Sequence, residues 1–349
     1  MGPLVGSVGR VTAQPHHSAT LGLTASVVVP SYRRPATLLR CLAGLELQTH
    51  RADEVLVVVR HSDLATADVV RRAPPTLAAR VVWANAPGLV AALNLGLASA
   101  RTDVVAFVDD DAVPVPEWLA RILRYYESAS VGAVGGRDVV AGASAVTPRA
   151  RVGHLHWYGK VTGGHHSGGG PARDVHVLKG ANMSVRRAAV GTGFDTRLRG
   201  YGAQVHNEET LFLAMVKAGW RVVYAPAIVV HHYPEVRPAG DKRDSNSAKD
   251  VANAVHNRAI AILDNVSFPR RVAFLTWAAL IGTASEPGWM QVLRLLARTR
   301  GRVLAMYYGT LAGLAAGIRA HRSGGGHGTI PPPPDSARDL GDDVALRVP

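Results

Sequence analysis

The sequence predicts an α/β protein with a doubly wound, mostly parallel sheet, and three observations carry this prediction. Apolar runs rich in β-branched residues alternate with helical periodicity four times within about 85 residues. The runs are continuously apolar, as is typical of strands that helices cover on both faces. Three aspartates, Asp109, Asp110 and Asp111, directly follow the fourth run. Open sheets of this class bind ligands beyond the carboxyl ends of their strands, where these aspartates would lie.

The individual elements follow from the same patterns. Strands are predicted at residues 25–29, 54–59, 80–83 and 103–108. Helices are predicted between them at residues 35–47, 64–72 and 88–100, the first with a proline near its first turn. Farther along, a strand is predicted at residues 175–178. A later helix is expected to begin at Asn207, a suitable N-cap, and to end before Gly219.

Residues 137–176 are less regular and contain a stretch of glycines and histidines at residues 163–170. A mobile loop that acts as a lid is the expected structure of this stretch. Binding of a metal by His165 and His166 is the alternative, but a solvated loop fits the surrounding glycines better.

The composition is that of a globular protein, with 47% hydrophobic and 19% charged residues among 349. The single cysteine, Cys41, excludes an intramolecular disulfide and is expected to be a small core residue of the first helix. No Gly-x-Gly-x-x-Gly follows the first strand and no P-loop lysine motif is present. An ordinary dinucleotide-binding or P-loop enzyme is therefore disfavoured.

The net charge of +13 suits an anionic partner, such as nucleic acid, a nucleoside diphosphate or an anionic membrane surface. The basic residues are scattered along the chain, and neither zinc-finger spacing nor an aromatic-basic RNA-binding signature is present. Nucleic acid is therefore not expected as a partner.

Four regions are expected along the chain. Residues 1–24 are predicted to be a flexible N-terminus, and the first 22 residues lack the apolar segment of a signal peptide. The α/β domain would occupy residues 25–238 and a helical region residues 239–322. The glycine- and proline-rich residues 323–349 are predicted to be disordered. A cytoplasmic location is expected, with the inner face of the membrane as the alternative.

The three adjacent aspartates are costly at the end of a buried strand unless a cation lies among their carboxylates. Oxygen ligands suit a hard cation such as Mg²⁺ or Mn²⁺. A metal site is therefore predicted, although an isolated acidic triplet is more often a polar loop, which remains the simpler alternative.

Glu208 and Glu209 fall in the first turn of the helix predicted after Asn207. They would complement the helix dipole there. If this turn faces a cleft, one of them would equally serve as a general base. The pattern alone does not separate these two interpretations.

Five stretches in this order resemble glycosyltransferase family 2: SVVVPSYRRPATLLRCLAGL, GLVAALNLGLASARTDVVAFVDDDAVPVPEWL, LKGANMSVRR, GFDTRLRG and AGWRVVYAPAIVVHH. The resemblance covers residues 25–235, and its strength lies in the order of the pieces. It implies the GT-A nucleotide-sugar fold, an inverting reaction, a nucleoside-diphosphate sugar donor and a divalent cation.

The resemblance also implies roles for individual residues. Asp109 and Asp111 would be the outer members of the family's Asp-x-Asp motif, which holds the cation and the donor's ribose and diphosphate. His231 or His232 would supply a further metal ligand, and we assign His231; a surface histidine at a strand end is the alternative. The implied donor and acceptor pocket is formed by Pro30, Ser31, Tyr32, Arg60, Asp109, Asp110, Gly180 and Asn182.

Glu208 would be the catalytic base, counted back from Ala218 and Gly219, with Glu209 as the alternative after a shift of one residue. The chain also departs from the family pattern. The family usually has an aspartate as the base, and often another at the end of the second strand, where this chain has Arg60. Recognition of uracil through that second carboxylate is therefore not expected. Leu93-Asn94 replaces the usual Arg-Asn.

Beyond residue 250 the resemblance ends. Residues 251–264 suggest an amphipathic helix, and residues 272–284 and 303–318 are apolar. The last stretch is shorter than the about 20 residues that a spanning helix needs. The helices would either pack on the α/β domain or lie in the plane of an anionic leaflet. The second interpretation rests on the arginines Arg270, Arg271, Arg294, Arg298 and Arg300.

The sequence therefore predicts a metal-dependent inverting glycosyltransferase. It would transfer a sugar to a hydroxyl of a glycan, a lipid-linked compound or a small molecule, in cell-envelope or surface polysaccharide synthesis. A nucleotidyltransferase with a similar sheet is one alternative, although PSYRRP is a poor version of its glycine-rich loop. A catalytically silent membrane-binding relative is another, but the intact acidic triplet and the Glu208–Glu209 pair argue against it.

Overall fold

A computed structural model of the protein describes residues 22–142, 147–200, 202–234, 247–326 and 328–335. The strands in these ranges are β1 Ala25–Pro30, β2 Glu54–Arg60, β3 Ala79–Ala84, β4 Val104–Val108, β5 Ala112–Pro114, β6 Val131–Val140, β7 His154–Leu155, β8 Val161–Thr162, β9 Arg173–Asp174, β10 Asn182–Arg186 and β11 Arg221–His232. The α-helices are α1 Pro35–Glu46, α2 Leu64–Arg71, α3 Leu89–Ser99, α4 Trp118–Tyr125, α5 Asn207–Lys217, α6 Ala248–Asn265, α7 Phe268–Leu280, α8 Trp289–Leu295 and α9 Arg302–Ser323.

The main sheet has the strand order β3-β2-β1-β4-β10-β6-β11-β5, with β9 added on β11. The first four strands are parallel, which confirms the predicted α/β class. The second half is mixed, because β10 runs antiparallel to both of its neighbours. This reversal places the start of β10 beside the end of β4, where Asn182 is paired with Val108.

The strands are buried on both faces, which explains their continuous apolar runs. Val27 and Val29 point into a core that α1 and α4 close, whereas Val28 points into the opposite core, closed by α3, α5 and α6. Cys41 is fully buried in the first of these cores, as predicted.

The C-terminal helices share the second core with the sheet. Val255 of α6 and Leu314 of α9 belong to the same cluster as Val105 of β4. Helix α9 approaches α6 closely because glycines line the contact: a Cβ on Gly313 would lie 2.6 Å from the Ala252 carbonyl oxygen. The predicted helical region is therefore packed on the α/β part. The boundary predicted at residue 238 lies outside the described residues.

Two segments that were predicted to be irregular make defined contacts in the structure. His165 to Ser167 form a 3₁₀ turn in which His165 is buried, and its Nε2 lies 2.9 Å from the Val177 carbonyl oxygen. His166 is exposed, so the two rings do not form a metal pair. In the predicted disordered tail, the carbonyl of Pro331 accepts a hydrogen bond from Trp220 Nε1 at 2.6 Å. The expectations for residues 1–21 and 336–349 lie outside the described chain.

One predicted strand and one predicted helix boundary are wrong. Residues 175–178 form no strand, because Val175 donates to Val222 while Val177 donates to Gly153, so the segment changes partner within two residues. Helix α5 is preceded by His206 as the N-cap residue rather than Asn207. His206 has a φ of 67°, a left-handed conformation that is uncommon for non-glycine residues.

Candidate active site

The fold gathers the predicted polar residues at one edge of the sheet. β1 ends at Pro30, and β4 ends just before Asp109. Gly180 lies two residues before the start of β10, and β11 ends at His232 beside β5. Because the ends of β1, β4 and β11 meet the start of β10 at this edge, segments far apart in the chain form one site.

The three aspartates occupy different environments. Asp110 is buried, accepts hydrogen bonds from Ser31 Oγ at 2.7 Å and Arg34 Nη1 at 2.8 Å, and has its pKa raised by burial to about 6. Asp111 is bonded to Arg34 at 2.9 Å and His232 Nε2 at 3.0 Å. Burial would raise the pKa of Asp111, but these two partners lower it. A solvated polar loop is therefore not the structure here.

Asp109, Asp111 and His232 have ligand atoms that all lie within 4.8 Å of one another. His232, and not the predicted His231, belongs to this cluster. Successive residues of a strand face opposite sides, so His231 points away and is exposed. Two carboxylates and an imidazole are a donor set that fits a divalent cation.

Asp138 and Lys179 extend this cluster and were missed by the sequence analysis. Asp138 is fully buried in β6, forms an ion pair with Lys179, and lies 4.0 Å from His232 Nδ1. A carboxylate behind a metal-binding histidine commonly orients the ring. The available signal was a pair of charged residues, Arg137 and Asp138, within the otherwise apolar run of β6.

Arg34 was also missed, although it lies in the PSYRRP segment that follows β1. Its guanidinium joins Asp110 and Asp111, and these carboxylates raise its pKa although burial lowers it. A permanent positive charge thus partly neutralises the acidic triplet.

A cleft of about 250 Å³ lies beside Lys179. Glu208, in the first turn of α5, lines it, and Glu208 Oε1 accepts a hydrogen bond of 3.1 Å from the backbone N–H of Gly180. A Cβ on Gly180 would lie 2.7 Å from that oxygen, so a larger residue here would displace the Glu208 carboxylate. The cleft therefore has a carboxylate held in place at its wall.

Glu209 also lines this cleft, but its carboxylate has a different environment from that of Glu208. It is buried among His206, Arg258 and Glu286, at 3.0 Å from His206 and 3.4 Å from Arg258. Burial would raise the pKa of Glu209, but the His206 and Arg258 charges lower it to about 2. A carboxylate tied to two cations is a poor proton acceptor, so Glu208 is the candidate base of this pair.

The model of glycosyl transferase family 2 matches residues 26–190. Residues 26–190, just under half of the chain, are therefore similar to this family. The match confirms the predicted resemblance and includes the acidic triplet and Gly180. It ends before α5 and β11, so the assignments of Glu208 and His232 rest on the geometry of this structure alone.

Relatives and solved structures agree with this assignment. A pre-mycofactocin glycosyltransferase of Mycobacterium tuberculosis is 29% identical over 153 residues, which are 42% of this chain and 30% of the relative. The chain thus spans about a third of that relative's length.

Among solved structures, the mannosyltransferase PcManGT from Pyrobaculum calidifontis, in complex with GDP-Man and Mn²⁺, has a TM-score of 0.50 at 22% identity over 86% of both chains. S. aureus TarS 1–349 in complex with UDP has a TM-score of 0.54 at 14% identity, covering 86% of this chain and 91% of that one. These likenesses show the GT-A fold.

The remaining predicted donor residues divide into two groups. Tyr32 is half-buried, and the guanidinium of Arg60 lies 4.8 Å from its ring centroid. Pro30 and Ser31 stabilise the turn after β1: Pro30 is paired with Val58 of β2, and the Ser31 hydroxyl donates a hydrogen bond to Asp110. Tyr32, and Arg60 at the end of β2, thus remain available to a donor.

Asn182 does not line the pocket. It is 1% exposed, its Oδ1 accepts from Trp118 Nε1 at 2.8 Å, and its Nδ2 donates to the carbonyls of Arg137 and Ile228. The prediction that Asn182 contacts the donor or acceptor is wrong. Its amide instead joins β10 to α4, β6 and β11 beneath the site.

Proposed function

We propose that this protein is a metal-dependent, inverting glycosyltransferase that moves a sugar from a nucleoside diphosphate to an acceptor hydroxyl. The observation that carries the proposal is the arrangement of Asp109, Asp111 and His232 at one sheet edge, linked through the Asp138–Lys179 ion pair to the cleft that Glu208 lines. The family match favours sugar transfer over nucleotidyl transfer.

The reaction has two chemical requirements, and the chain provides residues for each. A divalent cation held by Asp109, Asp111 and His232 would stabilise the charge of the departing nucleoside diphosphate. Glu208 takes the proton of the acceptor hydroxyl while its oxygen attacks the anomeric carbon. The new glycosidic bond forms as the bond to the diphosphate breaks on the opposite side, which inverts the configuration.

Other residues position the two substrates. Arg60 and Tyr32 form a cationic aromatic surface beside the end of β1, suited to the nucleotide. The cleft lined by His166 and Lys179 would receive the acceptor, a glycan, a lipid-linked compound or a small molecule. We place the reaction in cell-envelope or surface polysaccharide synthesis on the cytoplasmic side of the membrane.

The test is nucleotide binding by calorimetry with UDP and GDP, in Mn²⁺ and in EDTA. Because the cation would bridge protein and diphosphate, we expect affinity to depend on Mn²⁺. His232→Ala should weaken Mn²⁺-dependent binding by about tenfold or more, as loss of a metal ligand or its support does. His231→Ala removes the exposed neighbouring ring and should leave binding unchanged. Equal affinity in Mn²⁺ and EDTA would refute the metal role.

A further inference from the structure

The C-terminal helices carry an unusual share of the exposed apolar surface. Sixteen large hydrophobic side chains are exposed among the described residues, and eleven of them lie at or beyond residue 268. Scattered exposed apolar residues need no explanation, but a contiguous group marks an interaction surface. The members are Phe268, Val272, Leu280, Ile281, Trp289, Met290, Leu293, Leu296, Leu304, Tyr308 and Leu311.

These side chains recur at helical spacing on helices that contact one another. In α9, Leu304, Tyr308 and Leu311 are exposed at intervals of four and three residues. In α8, Trp289 and Leu293 are exposed, and the Trp289 ring lies 6.0 Å from that of Tyr307 in α9. An outward helix face is normally polar, so an apolar outward face requires a partner.

Basic residues greatly outnumber acidic residues in this region. Residues 265–334 contain eight arginines, no lysine and one acidic residue. That acidic residue, Glu286, is paired internally with Arg258 at 2.6 Å. The exposed arginines Arg294, Arg298, Arg300 and Arg302 lie in α8, in the connection to α9 and at the first residue of α9. A face that combines apolar side chains with unneutralised arginines complements an anionic lipid surface.

We propose that helices α7, α8 and α9 form a docking face that lies on an anionic membrane, with the apolar side chains inserted among the acyl chains and the arginines at the headgroups. The occupant is a lipid surface rather than a second copy of this chain. In a symmetric dimer through this face, the arginines of the two copies would lie opposite each other. Like charges across an interface are repulsive.

Helix α9 lies on the membrane and does not cross it. By length and composition it is long and apolar enough to span, with a mean hydropathy of 1.2 over its most apolar 18 residues, of which 44% are buried inside the protein. Its other face is packed on α6 through Gly309, Gly313 and Gly317, where an added Cβ would lie 2.4–2.6 Å from α6 atoms. Spanning would break this contact, whereas docking preserves it.

The experiment is sedimentation of the full-length protein with vesicles of phosphatidylcholine alone and with 30% phosphatidylglycerol, a composition chosen on the principle that anionic lipid attracts basic faces. We expect binding to the anionic vesicles and much weaker binding to the neutral ones. Removing α7–α9 would expose the core they cover, so point substitutions of exposed residues are used.

Two pairs of variants separate the apolar and the charge contributions. Leu293→Glu with Tyr308→Glu should lower the partition coefficient at least about tenfold, since both side chains are withdrawn from the lipid. Arg294→Glu with Arg298→Glu should lower it by about 25-fold or more, given about fivefold for each arginine. The matched controls are Leu39→Glu with Leu47→Glu, and Arg72→Glu with Arg124→Glu, which alter equally exposed residues elsewhere.

Circular dichroism must first show that each variant is folded. Binding that is unchanged in the helix variants, or lowered equally by the controls, would overturn the proposal. A protein that ignores both kinds of vesicle but forms dimers that Leu293→Glu with Tyr308→Glu dissociates would assign the face to self-association and also overturn it. None of these measurements depends on glycosyltransferase activity.

Discussion

At the scale of single residues, residues that are adjacent in the sequence occupy different environments at this site. Both glutamates line the cleft, but Glu209 is tied to His206 and Arg258, and His232 joins the aspartates while His231 faces outward. One residue on a helix is a turn of about 100°, and one residue on a strand is a change of face. The sequence could therefore identify both pairs but could not select the member of each pair.

The pair of glutamates gives the first prediction. Glu208→Gln keeps the size of the side chain and its acceptor for the Gly180 N–H but cannot take a proton. We expect turnover to fall by about 10²–10⁴-fold, the usual contribution of a general base. Nucleotide affinity should be nearly unchanged, because this residue acts on the acceptor. Steady-state kinetics and calorimetry with UDP and GDP measure the two quantities separately.

Glu209→Gln is the comparison for this measurement. It leaves Arg258 and His206 with less compensation in a buried place, so we expect a loss of stability of about 3–5 kcal/mol, as for breaking other buried ion pairs. If Glu209→Gln abolishes turnover in a folded protein while Glu208→Gln retains it, Glu209 is the base and our assignment is wrong.

At the scale of elements, the start of α5 is fixed by contacts from outside the family 2 match. Arg258 of α6 bonds to His206 and Glu209, and Glu286, in the connection from α7 to α8, bonds to His206 and Arg258. The left-handed His206 begins the turn that presents Glu208. No local pattern predicts this network, because its members come from three segments more than 25 residues apart in the sequence. The sequence predicted helix α5 and the glutamates in its first turn, but not the contacts that fix the position of this turn.

The network predicts a dependence of stability on pH. Burial and Arg258 would lower the pKa of His206, but Glu209 and Glu286 raise it to about 9. A raised pKa in the folded state stabilises the protein fully below the unfolded value of about 6.5, and this contribution is lost as the pH rises through 9. We therefore expect the free energy of unfolding to fall between pH 6.5 and 9.5, by on the order of 1–3 kcal/mol.

His206→Asn tests whether this residue is responsible. Asparagine tolerates the left-handed backbone but carries no titrating ring. Urea unfolding at pH 6.5 and 9.5, with EDTA present, should show a smaller decrease for this variant than for the unchanged protein. Groups such as His232, whose pKa is also raised, remain in both proteins and cancel in the comparison. An identical decrease in both would show that His206 does not carry the effect.

At the scale of the whole molecule, the sequence predicted the parallel half of the sheet well and the rest less well. Strands β1 to β4 and helices α1 to α3 are local patterns whose bounds differ from prediction by a few residues at most. The mixed half depends on the pairing of β10 with β4 and β6, which brings together residues about 75 and 50 positions apart in the sequence. Hydrophobic periodicity reports local structure and does not predict such long-range pairing. The ordered residues 328–335 likewise depend on a distant partner, Trp220.

The shared core also decides how the molecule unfolds. Val105 of β4 and Val255 of α6 are 0% and 3% exposed and belong to one cluster, so the sheet and the C-terminal helices should lose their structure together. We expect one transition in differential scanning calorimetry, with tryptophan fluorescence and far-ultraviolet circular dichroism following the same midpoint.

Val105→Ala and Val255→Ala should each lower that single midpoint, at a cost on the order of 2 kcal/mol for the cavity formed. Val272→Ala, in an exposed position of α7, is the matched control and should change it little. Two transitions, of which Val255→Ala shifts only one, would instead mean that the helices form a unit of their own, and the domain boundary expected from the sequence near residue 238 would then be the correct one.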